Sequence, residues 1–121
     1  MSAAADWLER YKDAWEKRDP DAAAALFAPA ALYHETPFDP PKRGPDGVRA
    51  YWAGVTADQR DVVFRYDILS VSGSTAIAQW NARFKLASNG AQIELDGVFV
   101  LVFDAQGLCT SLREWWHAKQ S

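Results

Sequence analysis

The chain has 121 residues and a formal net charge of -3, with 49% hydrophobic and 24% charged residues. This length and balance predict one globular domain, residues 1–121, that buries a core without disulfides or metals. The weakly acidic charge, with no basic stripe, argues against a nucleic acid partner. The single cysteine, Cys109, excludes an intramolecular disulfide and a multi-cysteine metal site. Neither a signal peptide nor an apolar run of membrane-spanning length is visible, so we expect a cytoplasmic protein without a membrane partner.

Aromatic residues are unusually numerous, with six tryptophans, six phenylalanines and four tyrosines. Trp7, Tyr11 and Trp15 recur every four residues, which is the spacing of one helical face. They predict a first helix over about Ala3–Lys17 whose opposite face is charged. So many large rings either fill a thick core or line a cavity.

Two shorter helices are predicted downstream of the first. Asp19 suits an N-cap and Pro20 a first helical position, so a second helix is expected over Ala22–Ala28, with Pro29 ending it. A third helix is expected to begin at Gly44-Pro45-Asp46, with an apolar face made of Val48, Tyr51, Trp52 and Val55.

The other segments have the alternating pattern of strands. A short strand is predicted over Ala31–Glu35 and a two-residue strand at Lys42-Arg43. Longer strands are predicted over Val62–Ser72, Thr75–Ala87, Ala91–Phe103 and Leu108–His117. Asn89-Gly90 predicts a type I′ hairpin. The order of elements predicts an α+β fold, with helices packed on one face of a mostly antiparallel sheet.

Strand periodicity also places carboxyl groups among apolar side chains. Tyr33 and Glu35 share one face of their strand, because successive side chains point to opposite faces. On the last strand Glu114 shares a face with Leu108, Thr110, Leu112 and Trp116, while Cys109 is expected on the opposite face. An unpaired carboxylate is costly to bury, so each carboxyl group needs a partner or a polar pocket.

The whole chain resembles the cone-shaped α+β family of nuclear transport factor 2, and in particular its SnoaL-like branch. The resemblance rests on Ala25-Leu26-Phe27-Ala28, Tyr33-His34-Glu35, Arg43-Gly44, Val48-Arg49-Ala50-Tyr51-Trp52, Gly97 to Asp104 and Leu112 to His117. It implies a curved, mostly antiparallel sheet wrapped around a long N-terminal helix, closed by two shorter helices. It also implies homodimers that pack sheet to sheet. The family includes isomerases, cyclases, dehydratases and epoxide hydrolases, so the resemblance alone does not give the function.

One branch, the ketosteroid isomerases, permits a comparison residue by residue. An ungapped match from Arg10 to Pro41 puts Tyr11 at their oxyanion-hole tyrosine and Glu35 at their general-base aspartate. Trp116 falls at a pocket-lining tryptophan. Their second oxyanion donor, a protonated aspartate, corresponds to Phe99, whose apolar ring cannot donate that hydrogen bond.

These patterns predict a largely apolar pocket with catalytic candidates Glu35 and Tyr11. Glu35 would act as a base near neutral pH, since an aromatic cavity destabilises a carboxylate anion, and Tyr11 would donate a hydrogen bond to a substrate oxygen. The expected ligand-binding residues are Tyr33, Trp52, Trp80, Glu114 and Trp116.

Each candidate also has a purely structural interpretation. Glu35 could cap a backbone N–H or pair with Arg43, and Glu114 could pair with Tyr33, or with Arg83 or Arg49. Trp7 and Trp15 are expected in the core. His34 and His117 lack metal-ligand spacing and there is no glycine-rich phosphate loop, so we expect neither a metal nor another cofactor.

A second apolar face is predicted on the side of the sheet away from the helices. It comprises Val98, Val100, Val102, Cys109 and Trp115, and such a patch is typical of a protein interface, here a homodimer. Three functions remain open: proton transfer on a small apolar molecule, binding of that molecule without chemistry, and a protein-interaction domain.

Overall fold

The computed structural model describes residues 3–121. Its helices are α1 (Ala3–Glu16), α2 (Pro20–Ala24) and α3 (Gly44–Thr56). Its strands are β1 (Phe27–His34), β2 (Lys42–Arg43), β3 (Gln59–Ser72), β4 (Thr75–Leu86), β5 (Gln92–Phe103) and β6 (Cys109–Gln120). Within residues 3–121, none of the helices is long and apolar enough to cross a membrane.

The six strands form one mixed sheet in the order β2-β1-β6-β5-β4-β3. Neighbouring strands are antiparallel except β1 and β6, which run parallel. As the sequence predicted, β5 pairs with both β4 and β6 along most of its length. The α+β prediction, with a mostly antiparallel sheet and three helices, is therefore confirmed.

The aromatic stripe of α1 packs against the inner face of the sheet. Tyr11 is 1% exposed, and its ring centroid lies 4.9 Å from Trp7, 5.3 Å from Trp52 and 5.5 Å from Phe99. Burying side chains of this size stabilises the fold by roughly 1.5–3 kcal/mol each. This packing fixes α1 across the sheet, so the Tyr11 hydroxyl and the Trp15 indole reach different parts of the interior.

For the second helix, Asp19 as N-cap and Pro20 at the first helical position are confirmed, but the predicted end was wrong. Asp19 does cap it, because its side chain accepts a hydrogen bond from the Ala22 amide, but α2 ends at Ala24. The carbonyl of Leu26 then accepts hydrogen bonds from the Cys109 amide and the Trp7 indole, so tertiary contacts take the place of helical ones. Pro29 lies inside β1, where pairing with β6 is interrupted and its missing N–H costs no ladder bond.

The hairpin between β4 and β5 forms, but its turn differs from the prediction. A type I′ turn needs positive φ at both central residues. Gly90 has a φ of 73°, whereas Asn89 is not in the positive region. The loop is longer: the Leu86 carbonyl accepts from the Gly90 amide, and the Leu86 amide donates to Ala91. The Asn89 side chain accepts from the Ala91 amide, so asparagine stabilises the turn through its side chain rather than its backbone.

Cys109 lies on the inner face, contrary to the prediction. The β5–β6 register shifts after Val102, so that Phe103 pairs with Cys109 and Val102 with Ser111. This bulge inserts one residue and reverses the parity of the strand upstream of Ser111. Cys109 is therefore fully buried, as is Leu112, whereas Thr110 is only partly buried. Counting alternate residues along β6 was correct only beyond the bulge.

Candidate functional site

A cavity of about 350 Å³ opens between the sheet, α1 and α3. The structure brings all the predicted site residues to its walls: Tyr11, Tyr33, Glu35, Trp52, Trp80, Glu114 and Trp116. The sequence reasoning missed the other lining residues: Trp15, Tyr51, Val55, Gln59, Phe84, Leu95 and Ala118. The volume lies within the range of small-molecule sites, and the lining is mostly aromatic and aliphatic with a few polar groups.

The floor of the cavity holds a chain of three polar side chains. The Tyr33 hydroxyl donates to the Glu114 Oε2 at 3.2 Å, and the hydroxyls of Tyr11 and Tyr33 lie 3.4 Å apart. Tyr11, Tyr33 and Glu114 come from α1, β1 and β6, and they are 1%, 2% and 6% exposed. Glu114 thus has Tyr33 as its partner. Its alternatives are occupied elsewhere: Arg83 pairs with Glu94, and Arg49 with Asp21 and Asp46.

Burial raises the pKa values of these three side chains. Desolvation raises the pKa of Glu114 to about 8, repulsion from Glu35 adds to the rise, and the Tyr33 hydrogen bond opposes it. Burial also raises the pKa of Tyr11 and of Tyr33 well above the ordinary value for tyrosine. All three groups are therefore mainly neutral at pH 7, and the floor presents O–H groups rather than a carboxylate.

Glu35 lies at the mouth of the cavity. It follows the last residue of β1 and is only partly buried. Its carboxylate makes no hydrogen bond or ion pair with any of residues 3–121, so the predicted alternative of an Arg43 partner is not observed. Its position is set through the backbone, because the Trp116 indole donates to the Glu35 carbonyl at 3.2 Å.

A glycine in β5 allows Trp116 to reach this position. A Cβ on Gly97 would lie 2.8 Å from the Trp116 Cβ and 2.5 Å from the Trp115 carbonyl oxygen. Any side chain there would force the strands apart, so Gly97 is needed for close packing of β5 against β6. Trp116 remains 36% exposed, which places it on the rim rather than in the core.

The wall opposite Glu35 and Glu114 is built from aromatic rings and one amide. Trp15 on α1 donates from its indole to the Gln59 Oε1 at 2.8 Å. Among residues 3–121, the buried indole N–H groups of Trp52 and Trp80 have no hydrogen-bond partner. Trp15, expected only in the core, therefore also lines the cavity. Gln59 is missed because β3 begins three residues before the predicted strand.

The polar side chains of the cavity are carboxyl, hydroxyl, amide and indole groups. Within residues 3–121 no group of three or more His, Cys, Asp or Glu side chains could hold a metal ion. No lysine or arginine lines the cavity. What the cavity offers is one unpaired carboxylate, one neutral carboxyl group bonded to a tyrosine, and a large apolar surface.

Comparisons with known proteins agree with this description. A family model for the SnoaL-like domain matches residues 8–112. The chain is 26% identical over 109 residues to a steroid Delta-isomerase of Nocardioides simplex, covering 90% of this chain and 85% of that protein.

Two solved structures have the same fold at lower identity. A computationally designed 17-OHP binder has a TM-score of 0.85 and 20% identity, covering 100% of this chain and 98% of the other. The Delta 5-3-ketosteroid isomerase from Mycobacterium sp. has a TM-score of 0.84 and 17% identity, covering 100% of both chains. Since the family model spans most of the sequence, and the curved sheet, helices and cavity fit it, the chain belongs to the SnoaL-like domain family, within the nuclear transport factor 2-like fold.

Proposed function

We propose that the chain binds a small, largely apolar organic molecule in this cavity and transfers a proton on it, with Glu35 as the base. The observation that carries the proposal is the pairing of two unlike carboxyl groups in one cavity. Glu35 is unpaired at the mouth, and Glu114 is buried and mainly neutral on the floor. Two carboxyl groups whose environments differ in this way can divide base and acid roles.

The proposed substrate is a ketone with a C–H group that lies between the carbonyl group and a carbon–carbon double bond. Glu35 removes a proton from that carbon, and the electron pair moves onto the carbonyl oxygen. Tyr11, with Tyr33 and neutral Glu114, forms the electrophilic side that stabilises the developing negative charge by hydrogen bonding. Glu35 then returns the proton to another carbon of the conjugated system, so that the product is an isomer and no cofactor is consumed.

The electrophilic side supports the proposal despite the missing aspartate. Phe99 occupies the position of the second donor in the ketosteroid isomerases, but its cross-strand partner in β6 is Glu114. A neutral carboxyl group is thus supplied one strand away from the expected place. The 26% identity to a steroid Delta-isomerase supports an unsaturated ketone as the class of substrate.

The test uses androst-5-en-3-one as a probe, with formation of the conjugated ketone followed by ultraviolet absorbance. Glu35→Gln keeps the shape of the side chain but removes the base, so turnover should fall by a factor on the order of 10²–10⁴. Binding, measured by quenching of the cavity tryptophans, should change only a few-fold. Glu35→Asp, which keeps a carboxylate, is the matched control and should retain more turnover than Glu35→Gln. Equal turnover in the wild type and Glu35→Gln would contradict the role of Glu35.

A second candidate function is binding without chemistry. The same fold serves as a designed binder for 17-OHP, so a cavity of this shape does not require turnover. In that case the probe would quench tryptophan fluorescence in the wild type and no conjugated ketone would form. Glu35→Gln would then alter affinity only modestly.

We also propose that the chain forms a homodimer through the outer face of the sheet. Val98, Val100 and Val102 are only partly buried, and Ile77 and Trp115 on the neighbouring strands are 37% and 49% exposed. An apolar patch of this kind is typical of an interface. Analytical ultracentrifugation should give a dimer at micromolar concentration, and Val100→Lys, which puts an unpaired charge in the interface, should give a monomer. A wild-type monomer would end this proposal.

A further inference from the structure

Gln59 carries an amide group whose orientation is fixed by its neighbour. It is the first residue of β3 and is 4% exposed. The Trp15 indole N–H can only donate, so the atom 2.8 Å from it must be the Gln59 carbonyl oxygen. The amide nitrogen, Nε2, consequently points another way, and it has no acceptor among residues 3–121.

Two further donors near Gln59 are also without acceptors. The indole N–H groups of Trp52 and Trp80 are buried and unpartnered, and their rings lie 5.5 Å and 5.8 Å from the Trp15 ring. All these side chains line the cavity. A buried donor without a partner costs roughly 1–3 kcal/mol. The Gln59 end of the cavity therefore holds an unsatisfied N–H group, whereas the other end holds the carboxyl groups of Glu35 and Glu114. The Trp52 ring lies between the two ends, 5.3 Å from Tyr11 and 5.5 Å from Trp15.

The sheet separates these two ends. Gln59 lies in β3, at one edge, while Glu114 lies in β6, three strands away. Three strand spacings are roughly 14 Å along the sheet. The same separation is seen along α1, where Tyr11 contacts the floor chain and Trp15, one turn later, contacts Gln59.

We propose that Gln59 determines specificity by donating a hydrogen bond from Nε2 to a neutral oxygen at the far end of the ligand. This inference rests on the proposed function, which places the ligand's carbonyl group at the cavity end that holds Glu35 and Glu114. The ligand would then be an elongated apolar body with an oxygen acceptor at each end. The far oxygen is neutral, as in a ketone, because no lysine or arginine lines the cavity to balance an anion.

The test compares two probes that differ only in the far oxygen: androst-5-ene-3,17-dione and androst-5-en-3-one. Affinities are measured by tryptophan quenching and by calorimetry. The wild type should bind the dione roughly threefold to tenfold more tightly, the contribution expected of one hydrogen bond. Gln59→Leu should remove this preference, and Gln59→Met, closer in shape, should do the same. Gln106→Leu, the same change on an exposed turn, should keep it.

The ratio of the two affinities separates recognition from a merely structural role of Gln59. Loss of the Trp15 hydrogen bond would weaken both probes together and leave their ratio unchanged. Equal binding of the two probes by the wild type, or an unchanged ratio in both Gln59 variants, would overturn this inference and leave the proposed function standing. Failure of the wild type to bind either probe would overturn both.

Discussion

The mouth and the floor of the cavity each carry a glutamate carboxyl group, but the two groups lie in opposite environments. Glu35 follows the end of a strand, is partly exposed and has no side-chain partner, whereas Glu114 lies in the middle of β6, is 6% exposed and accepts a hydrogen bond from Tyr33. Burial raises the pKa of Glu114 to about 8. The comparison teaches that position in the sheet, rather than residue type, decides how far a carboxyl group is buried and which form of it is favoured.

Glu35 also affects the protonation of Glu114. Repulsion from Glu35 is one of the causes that raise the pKa of Glu114. Negative charge on Glu35 thus favours the neutral form of Glu114. Changes to either carboxyl group can break this relationship, and their effects should differ in kind.

Glu114→Gln should have the largest effect on stability. The carboxyl group keeps its proton in the folded protein up to about pH 8 but loses it in the unfolded chain near pH 4.5. Its contribution is therefore complete below about pH 4.5 and is lost as the pH rises to about 8. Glutamine is neutral throughout. Relative to this variant, the wild type should lose about 1.4 kcal/mol of unfolding free energy per pH unit in that window.

Urea denaturation at several pH values would measure this difference. Glu35→Gln is the matched control, because the same change at the mouth leaves Glu114 to titrate and should preserve most of the slope. A wild type and a Glu114→Gln variant with parallel stability curves would show that Glu114 is ionised in the folded protein. The division of roles between mouth and floor would then lose its basis.

Much of the fold could be predicted because local signals and packing agree. The stripe of Trp7, Tyr11 and Trp15 and the alternation in β4 and β5 are also the buried faces of the structure. The errors lie where a tertiary contact overrides a local rule. Pro29 predicted the end of a helix. The helix ends earlier, because the Leu26 carbonyl accepts hydrogen bonds from the Trp7 indole and the Cys109 amide instead.

The site was predictable as far as strand parity holds. Glu114 and Trp116 reach one cavity because no bulge interrupts β6 beyond Ser111. Tyr33 and Glu35 reach it because they lie after the irregularity between Phe27 and Leu32. Cys109 was misplaced because it lies before that point. Gln59 could not be recognised, since a lone glutamine ahead of the predicted strand has no periodic signal. Its position also depends on Trp15, which is distant in sequence.

Tyr33→Phe should give a smaller effect that sharpens the account of the floor. The Tyr33 hydroxyl donates to Glu114, and this bond lowers the pKa of Glu114 against the larger effect of burial. Removing the hydroxyl should therefore raise the pKa of Glu114 further, by up to about one pH unit for a bond worth roughly 0.5–1.5 kcal/mol. Carboxyl-carbon NMR, with the Glu114 signal assigned by its loss in Glu114→Gln, would follow the titration.

Tyr51→Phe is the control, because it removes a hydroxyl from the same cavity that has no hydrogen bond to Glu114. It should leave the midpoint of the Glu114 titration nearly unchanged. A midpoint that falls in Tyr33→Phe would mean that Tyr33 stabilises the neutral carboxyl group rather than the anion, and the direction of the bond on the floor would have to be reversed.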